Sequence, residues 1–189
     1  METQLIELKK FFDKQVDGYI LGDLEVLMKI EPDANYNKGC AIPAAMVILS
    51  ASELFGTLLT PNPQEKEGAI YLKRFMEDYM PQISVLDRDS IVYNYRHKIM
   101  HIFFPKFSGK KMYGVTKIPN QNILIAKDSV YRNLNLVLFN EYFQQAVSDL
   151  KTKIFHEKNE SIINTIFSNL FDDNIGTTTS TTNQTTIIS

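Results

Sequence analysis

Residues 41–60 of the chain read AIPAAMVILSASELFGTLLT, and this stretch decides the fold. Glu53 is its single charged side chain, so a helix built from it is apolar on nearly every face. Such a helix is buried either in the core of a protein or in a membrane. A carboxylate in the middle of a membrane span is costly, and no basic flank favours insertion. We therefore expect a central core helix and no association with a membrane.

Amphipathic patterns on both sides of this stretch predict further helices. Apolar residues at three- and four-residue spacing indicate a long first helix over residues 3–30, which Gly18 or Gly22 could bend. The same spacing predicts helices at about residues 65–79, 89–104, 134–156 and 162–171. The fold class predicted from these patterns is mainly α, a helical bundle.

The sequence pattern changes in two places outside the predicted helices. Tyr113 and Val115 precede a turn at residues 119–122 and Ile123 to Ile125 follow it, which predicts a short β-hairpin over about residues 111–127. Residues 173–189 are rich in Thr, Ser and Asn and offer little apolar surface, so we predict a flexible tail. We expect residues 1–172 to form a single domain.

The composition and the N-terminus indicate a cytoplasmic protein. The hydrophobic fraction of 44% and the charged fraction of 22% are ordinary for a globular chain. A single cysteine, Cys40, cannot form an internal disulfide bond, as is usual in a reducing compartment. The first residues lack the basic start and apolar run of a secretory signal.

Positive charge is concentrated in one segment of the chain. The net charge is −2, yet Ser90 to Lys127 contains no Asp or Glu and holds seven of the 20 basic residues. The remainder carries 13 basic against 22 acidic residues. Two interpretations stay open for this segment, a solvated lysine-rich loop or a surface that binds anions.

The chemically suggestive part of this segment is Arg96-His97-Lys98-Ile99-Met100-His101, near the end of the helix predicted over residues 89–104. Either Asp89 or Ser90 is the predicted N-cap of that helix. Helical periodicity places Asn94, His97 and His101 on one side, opposite the apolar side, with Arg96 at the border. Two of the three histidines of the chain therefore share a face with an arginine beside them.

Three interpretations of this cluster compete. The spacing of His97 and His101 matches that of a helical zinc site, but Lys98 stands where zinc peptidases have a glutamate, so we expect neither a metal nor a cofactor. A structural role would have the histidines bond to carbonyls at the helix end. A chemical role would use histidine to move protons and arginine to hold phosphate through its planar fork.

The motif resembles the signature of the HEPN superfamily, the higher eukaryote and prokaryote nucleotide-binding domains. Arg96, the polar residue His97 directly after it and His101 four positions further on are similar to that signature, which lies towards the end of a late helix in those bundles. The resemblance covers residues 1–156, so it implies a HEPN-like helical bundle with the hairpin and the tail as additions. The run from Tyr93 to Phe104 followed by Pro105 and Lys106 is similar to some members.

The resemblance implies one of two functions. Many HEPN proteins are metal-independent ribonucleases of defence or toxin-antitoxin systems, in which the 2′-hydroxyl of RNA attacks the adjacent phosphorus. Others are non-catalytic modules for dimerisation or for binding RNA or nucleotides. The implied partners are a second copy of the chain, RNA and an antitoxin protein.

Roles for individual residues follow from the resemblance. Arg96 and His101 would be catalytic, with the missing proton-transfer partner supplied by a homodimer. Asn94 and His97 would orient the substrate, and the RNA backbone would be guided by Lys98, Lys106, Lys110 and Lys111.

Glu53 is a carboxylate in an apolar helix, so it has to be paired, protonated or placed at an edge. Arg96 is one candidate partner. In the other interpretation Glu53 caps a local polar pocket or points outward.

Overall fold

The computed structural model describes residues 1–31, 39–97, 99, 112–126 and 131–171. Over these residues the protein is mainly helical and carries one small three-stranded sheet. The mainly helical class predicted from the sequence is confirmed. The predicted tail, residues 173–189, lies outside the described residues.

The first helical rod is continuous, and its middle turns are wider than those of an α-helix. Its three parts are α1 (Glu2–Phe11), a π-helical segment (Phe12–Leu21) and α2 (Gly22–Lys29). The long helix predicted over residues 3–30 is confirmed. Gly22 keeps helical angles, φ −63° and ψ −49°, so the rod does not break there.

The other helices follow from residue 41 onward. In chain order they are α3 (Ala41–Leu58), α4 (Gly68–Tyr79), α5 (Val85–Ser90), a second π-helical segment (Ile91–Arg96), α6 (Leu136–Lys151), a third π-helical segment (Thr152–His156) and α7 (Glu160–Phe171). Helix α5 and the second π-helical segment form one rod, and Arg96 is the last residue of that π-helical segment.

Helix α3 is the centre of the core, as its sequence predicts. Phe55 of this helix is 1% exposed, and its ring lies 6.4 Å from that of Phe12, 5.5 Å from that of Phe75 and 6.2 Å from that of Phe143. One side chain of α3 thereby joins the first rod, α4 and α6. Among the described residues α3 is also the one helix with the length and hydropathy of a membrane span, a test that core helices pass as well.

The rod that carries Arg96 begins earlier than predicted. Its N-cap is Ser84, whose Oγ accepts a hydrogen bond from the Asp87 backbone N–H at 3.2 Å. The prediction of Asp89 or Ser90 as the cap is wrong, because Asp89 lies inside the helix and pairs with Lys73 of α4 at 2.7 Å. The predicted end at Phe104 lies outside the described residues.

The predicted hairpin over residues 111–127 is wrong, although both of its strands exist. The strands are β1 (Met112–Thr116), β2 (Leu124–Ala126) and β3 (Tyr131–Asn135), and they lie in the order β1-β3-β2. β3 pairs with β1 in parallel, Tyr113 opposite Arg132, and with β2 in antiparallel, Ile125 opposite Asn133.

The third strand separates β1 from β2 because its apolar residue Leu134 is fully buried between Val115 and Leu124. The sequence pattern predicts that Leu134 belongs to the following helix, whereas the structure places it in β3. That helix, α6, begins at Leu136, after Asn135 has accepted a hydrogen bond from the Leu138 N–H at 3.3 Å as its N-cap.

Helices α3 and α4 approach so closely that a glycine is required between them. A methyl group at Gly56 would lie 2.0 Å from the carbonyl oxygen of Tyr71, which is backbone and cannot move independently of α4. Burial of the apolar residues of both helices depends on this contact.

We predict that Gly56→Ala lowers the free energy of unfolding by about 1–3 kcal/mol, the usual cost of forcing extra atoms into a packed core. The matched control is Gly18→Ala on the first rod, where the new methyl group would lie 3.5 Å from its nearest neighbour. The control should be neutral or stabilising, since alanine favours a helix over glycine by about 1 kcal/mol. Urea unfolding measures both, and equal midpoints for the two variants would contradict the close approach.

Candidate functional site

Arg96 and Glu53 form a two-pronged ion pair between the Arg96 rod and helix α3. Arg96 Nε donates to Glu53 Oε2 at 2.9 Å, and Arg96 Nη2 donates to Glu53 Oε1 at 2.9 Å. The side chains are 20% and 26% exposed, so the pair is only partly open to solvent. The predicted pairing of Glu53 with Arg96 is therefore confirmed, and the outward-facing alternative is wrong.

The first residue of α4 lies directly against this pair. A methyl group at Gly68 would lie 1.8 Å from Glu53 Oε1 and 2.9 Å from Arg96 Nη2. The N-terminus of α4, a helix of 12 residues, therefore faces the carboxylate of Glu53. Negative charge is favoured at a helix N-terminus, so α4 helps to hold the carboxylate of Glu53 in place.

The ion pair fixes the guanidinium and leaves part of it able to bind a ligand. Arginine has five N–H donors, and two of those of Arg96 point at Glu53. The other three are directed away from the carboxylate by the planar geometry of the group. Arg96 is thus held in one orientation, and among the residues that the structure describes Glu53 is its one hydrogen-bond partner, which leaves three donors for an anion such as a phosphate.

Tyr95 holds the rod that carries Arg96 against the sheet. Its side chain is fully buried, its hydroxyl donates to the Arg132 carbonyl oxygen at 3.0 Å, and its ring packs edge-on against Tyr113 at 5.6 Å. Burial raises the pKa of Tyr95, so the hydroxyl stays protonated and keeps donating. Ile99, one turn further on, is also buried, as the predicted apolar side of this helix requires.

The structure brings together only some of the predicted site residues. Asn94 is half-buried and donates to Ser90 Oγ at 3.2 Å, while His97 is exposed. Glu53 is paired with Arg96. The remaining predicted residues, Lys98, His101, Lys106, Lys110 and Lys111, lie outside the described residues, and their roles stay predictions.

One cation of the positive segment has a structural role that the sequence did not reveal. Lys117 Nζ donates to the carbonyl oxygens of Leu27 and Ile30, each at 2.6 Å, and thereby caps the C-terminus of α2. Burial lowers the pKa of Lys117, and the nearby Cys40 and Glu31 act in the opposite direction. Lys117 is therefore occupied inside the fold and is not part of an anion-binding surface.

Gly68 is the residue of the site that sequence reasoning missed. The available signal was a glycine directly after the charged turn at residues 65–67, at the start of a predicted helix. Glycine is only modestly favoured at helix starts, so this signal alone does not indicate contact with an ion pair.

The described residues contain no group of three or more His, Cys, Asp or Glu side chains that could hold a metal ion. Comparison with known proteins found no matching family, no matching curated protein and no matching solved structure. The likeness of Arg96-x4-His101 to the HEPN signature stays an expectation from the sequence.

We predict that Glu53 and Arg96 are energetically coupled. In a double-mutant cycle of Glu53→Ala and Arg96→Ala, the coupling energy should be about 1–3 kcal/mol, because residues in one ion pair interact on this scale. Each single variant leaves a partly buried charge without its partner. The loss of stability in the double variant should therefore be smaller than the sum of the losses in the two single variants.

The matched control for this cycle is the exposed pair of Lys9 and Asp13 on α1, which has a distance of 2.8 Å but side chains 66% and 55% exposed. Its coupling energy should stay below about 0.5 kcal/mol, the value usual for exposed pairs in helices. Urea unfolding of all variants gives both energies, and equal coupling in the two pairs would contradict a special role for Glu53.

We predict that Lys117→Met destabilises the protein by about 1 kcal/mol or more, because the last carbonyl groups of α2 lose a charged donor. Methionine keeps most of the apolar chain length, so the loss reports the ammonium group. Thermal or urea unfolding measures the change. Unaltered stability of Lys117→Met would mean that water replaces the cap without cost.

Proposed function

We propose that this protein is a metal-independent endoribonuclease of defence or toxin-antitoxin type, which cleaves RNA at a composite Arg/His site on a homodimer interface. The observation that carries the proposal is the guanidinium of Arg96, which Glu53 holds in one orientation with N–H donors to spare. A preorganised cation aimed at a phosphate is what the charged transition state of RNA cleavage requires. The HEPN-like spacing of Arg96 and His101 supplies the second element.

The proposed reaction uses the nucleophile that RNA already contains. A general base removes the proton of the 2′-hydroxyl, and the 2′-oxygen then forms a bond to the adjacent phosphorus while the bond from phosphorus to the 5′-oxygen breaks. A general acid returns a proton to the departing 5′-oxygen. The products are a 2′,3′-cyclic phosphate and a 5′-hydroxyl end.

His101 carries out a proton transfer in this scheme, and Arg96 stabilises the negative charge on the phosphate oxygens. One histidine cannot comfortably serve as both base and acid, so the second copy of the chain contributes the partner histidine. Asn94 and His97 orient the substrate. Lys98, Lys106, Lys110 and Lys111 attract the RNA backbone, and Glu53 supports Arg96.

A specific surface of the Arg96 rod supports the homodimer. Leu86 is 81% exposed and Tyr93 is 73% exposed, and their spacing with His97 places all three on one side of the rod. Apolar side chains so exposed along one helix are typical of a contact surface. The same surface also favours the second candidate function, a non-catalytic module that dimerises or binds RNA or nucleotides through this rod.

The biological setting in the proposal follows from the resemblance alone. A ribonuclease of this class acts on RNA in the cytoplasm, and in a toxin-antitoxin system a second protein neutralises it. An antitoxin would be expected to cover the Arg96 face, since that face is the proposed site of cleavage.

We predict that the purified protein cleaves single-stranded RNA in the presence of EDTA and leaves 2′,3′-cyclic phosphate ends. His101→Ala should lower the rate by about 10²–10⁴-fold, the range for loss of a general acid or base, with no change in the unfolding midpoint. Arg96→Ala should lower it by about 10²–10³-fold, as for removal of a transition-state donor. Gel analysis of an end-labelled RNA measures the rates.

Two controls make this test decisive. His156→Ala removes an exposed histidine from the end of the third π-helical segment and should leave the rate unchanged. RNA with 2′-O-methyl groups should resist cleavage because its nucleophile is blocked. Equal activity of His101→Ala and wild type, or a strictly monomeric protein in sedimentation experiments, would refute the proposed site, whereas a dimer without activity would favour the non-catalytic module.

A further inference from the structure

A second cleft, distinct from the Arg96 site, lies where the turn between α4 and α5 meets the loop before β2. Its volume is about 350 Å³, within the range of roughly 300–1,000 Å³ that is usual for small-ligand sites. Its polar lining includes three carboxamide side chains, a carboxylate and a phenol. These are contributed by Gln82, Gln121, Asn122, Asp87 and Tyr142.

Buried residues hold both walls of this cleft in place. Asn135 is fully buried, and its Nδ2 donates to the carbonyl oxygens of Asn120 at 2.8 Å and of Asn122 at 3.2 Å. Ile123 is 6% exposed next to Asn122, and Ile83 is 1% exposed next to Gln82. The carboxamides therefore project from backbone that is already ordered, which lowers the entropic cost of binding a ligand.

Among the residues that the structure describes, the carboxamides of the cleft have no hydrogen-bond partner: the side chains of Gln82 and Gln121 make none, and Asn122 bonds through its backbone N–H and carbonyl oxygen. Each carboxamide offers both a donor and an acceptor. A matching ligand therefore presents donors and acceptors side by side, as the edge of a nucleobase does.

The carboxylate of Asp87 narrows the choice of ligand. Asp87 Oδ2 accepts a hydrogen bond from the Ser84 hydroxyl at 2.8 Å, and Oδ1 takes no part in this cap. A carboxylate accepts but does not donate, so it repels phosphate and favours a neutral group rich in N–H donors. Tyr142 and Leu138, one turn apart on α6, provide an apolar and aromatic side for a flat ring.

We propose that this cleft binds a nucleobase that carries an exocyclic amino group. This part of the inference rests on the proposed function: the base belongs to the RNA substrate, and the cleft binds it away from the phosphodiester bond that is cleaved. The rod from Ser84 to Arg96 runs from the cleft to the ion pair, a length of at most about 18 Å at the 1.5 Å rise per residue of an α-helix, so a substrate of several nucleotides would span both.

The experiment titrates isotopically labelled protein with cytidine, uridine and ribose and follows side-chain and backbone amide signals by NMR. Cytidine should give saturable shifts of the Gln121 and Asn122 side-chain amides, with uridine at least fivefold weaker and ribose without effect. A Gln121→Ala/Asn122→Ala variant should bind cytidine at least tenfold more weakly. Gln145→Ala, an exposed glutamine outside the cleft, should bind like wild type.

Asp87→Asn tests the selectivity separately from the affinity. Asparagine keeps an oxygen to accept the Ser84 hydroxyl, so the helix start is preserved while the obligate acceptor is lost. The preference for cytidine over uridine should fall to about equal binding. The dispersion of the amide spectrum shows for every variant whether the protein is folded.

The possible outcomes separate this inference from the proposed function. Absence of saturable shifts at the cleft, equal shifts with ribose, or equal binding of cytidine and uridine by the wild type would overturn the inference, even if RNA is cleaved. Cytidine binding at the cleft without any RNA cleavage would uphold it as a nucleoside site and refute only the nuclease. A 2′-O-methyl RNA should bind more tightly than cytidine if the natural ligand of the cleft is a base within RNA. In that case the Gln121→Ala/Asn122→Ala variant should bind this RNA more weakly than the wild type does.

Discussion

The close approach of α3 and α4 is the constraint on which the rest of this structure depends. Gly56 allows the backbone of α4 to touch α3, and Gly68, at the first residue of α4, leaves room for the carboxylate of Glu53. Both contacts are too short for any side chain. The same helix pair therefore builds the core through Phe55 and delivers Glu53 to Arg96, so the candidate site is set by the packing of the core and not by a surface loop.

The charge balance at Arg96 determines what the site can bind. Glu53 places a negative charge 2.9 Å from the guanidinium, so it offsets part of the attraction that Arg96 alone would exert on a phosphate. Glu53 also orients the guanidinium of Arg96. A side chain that is already fixed loses less conformational entropy when it donates to a ligand. In the proposed function, net attraction for RNA would come from the other cations of the segment, among which Lys117 is already used by the fold.

The nature of each residue's partner explains which parts of the site could be predicted from the sequence. The apolar side of the Arg96 rod was predictable, because Tyr95 and Ile99 are one turn apart and both are buried. The choice between a paired and an outward-facing Glu53 was not, since its partner lies 43 residues away. Two further contacts join segments that are distant in sequence: Lys117 caps α2, and Asn135 donates to the loop before β2. No pattern within either segment predicts such a contact.

By itself the sequence determined the helices, the central position of α3 and the placement of Arg96 on a helix. Those features depend on the three- to four-residue period of apolar side chains, a property of each segment alone. Only the tertiary structure decided that β3 lies between β1 and β2, that Ser84 starts the Arg96 rod, and that Glu53 meets Arg96 beside Gly68. The physical reason is that strand pairing, burial and ion pairing are contacts between distant segments, and their geometry exists only after the helices have packed.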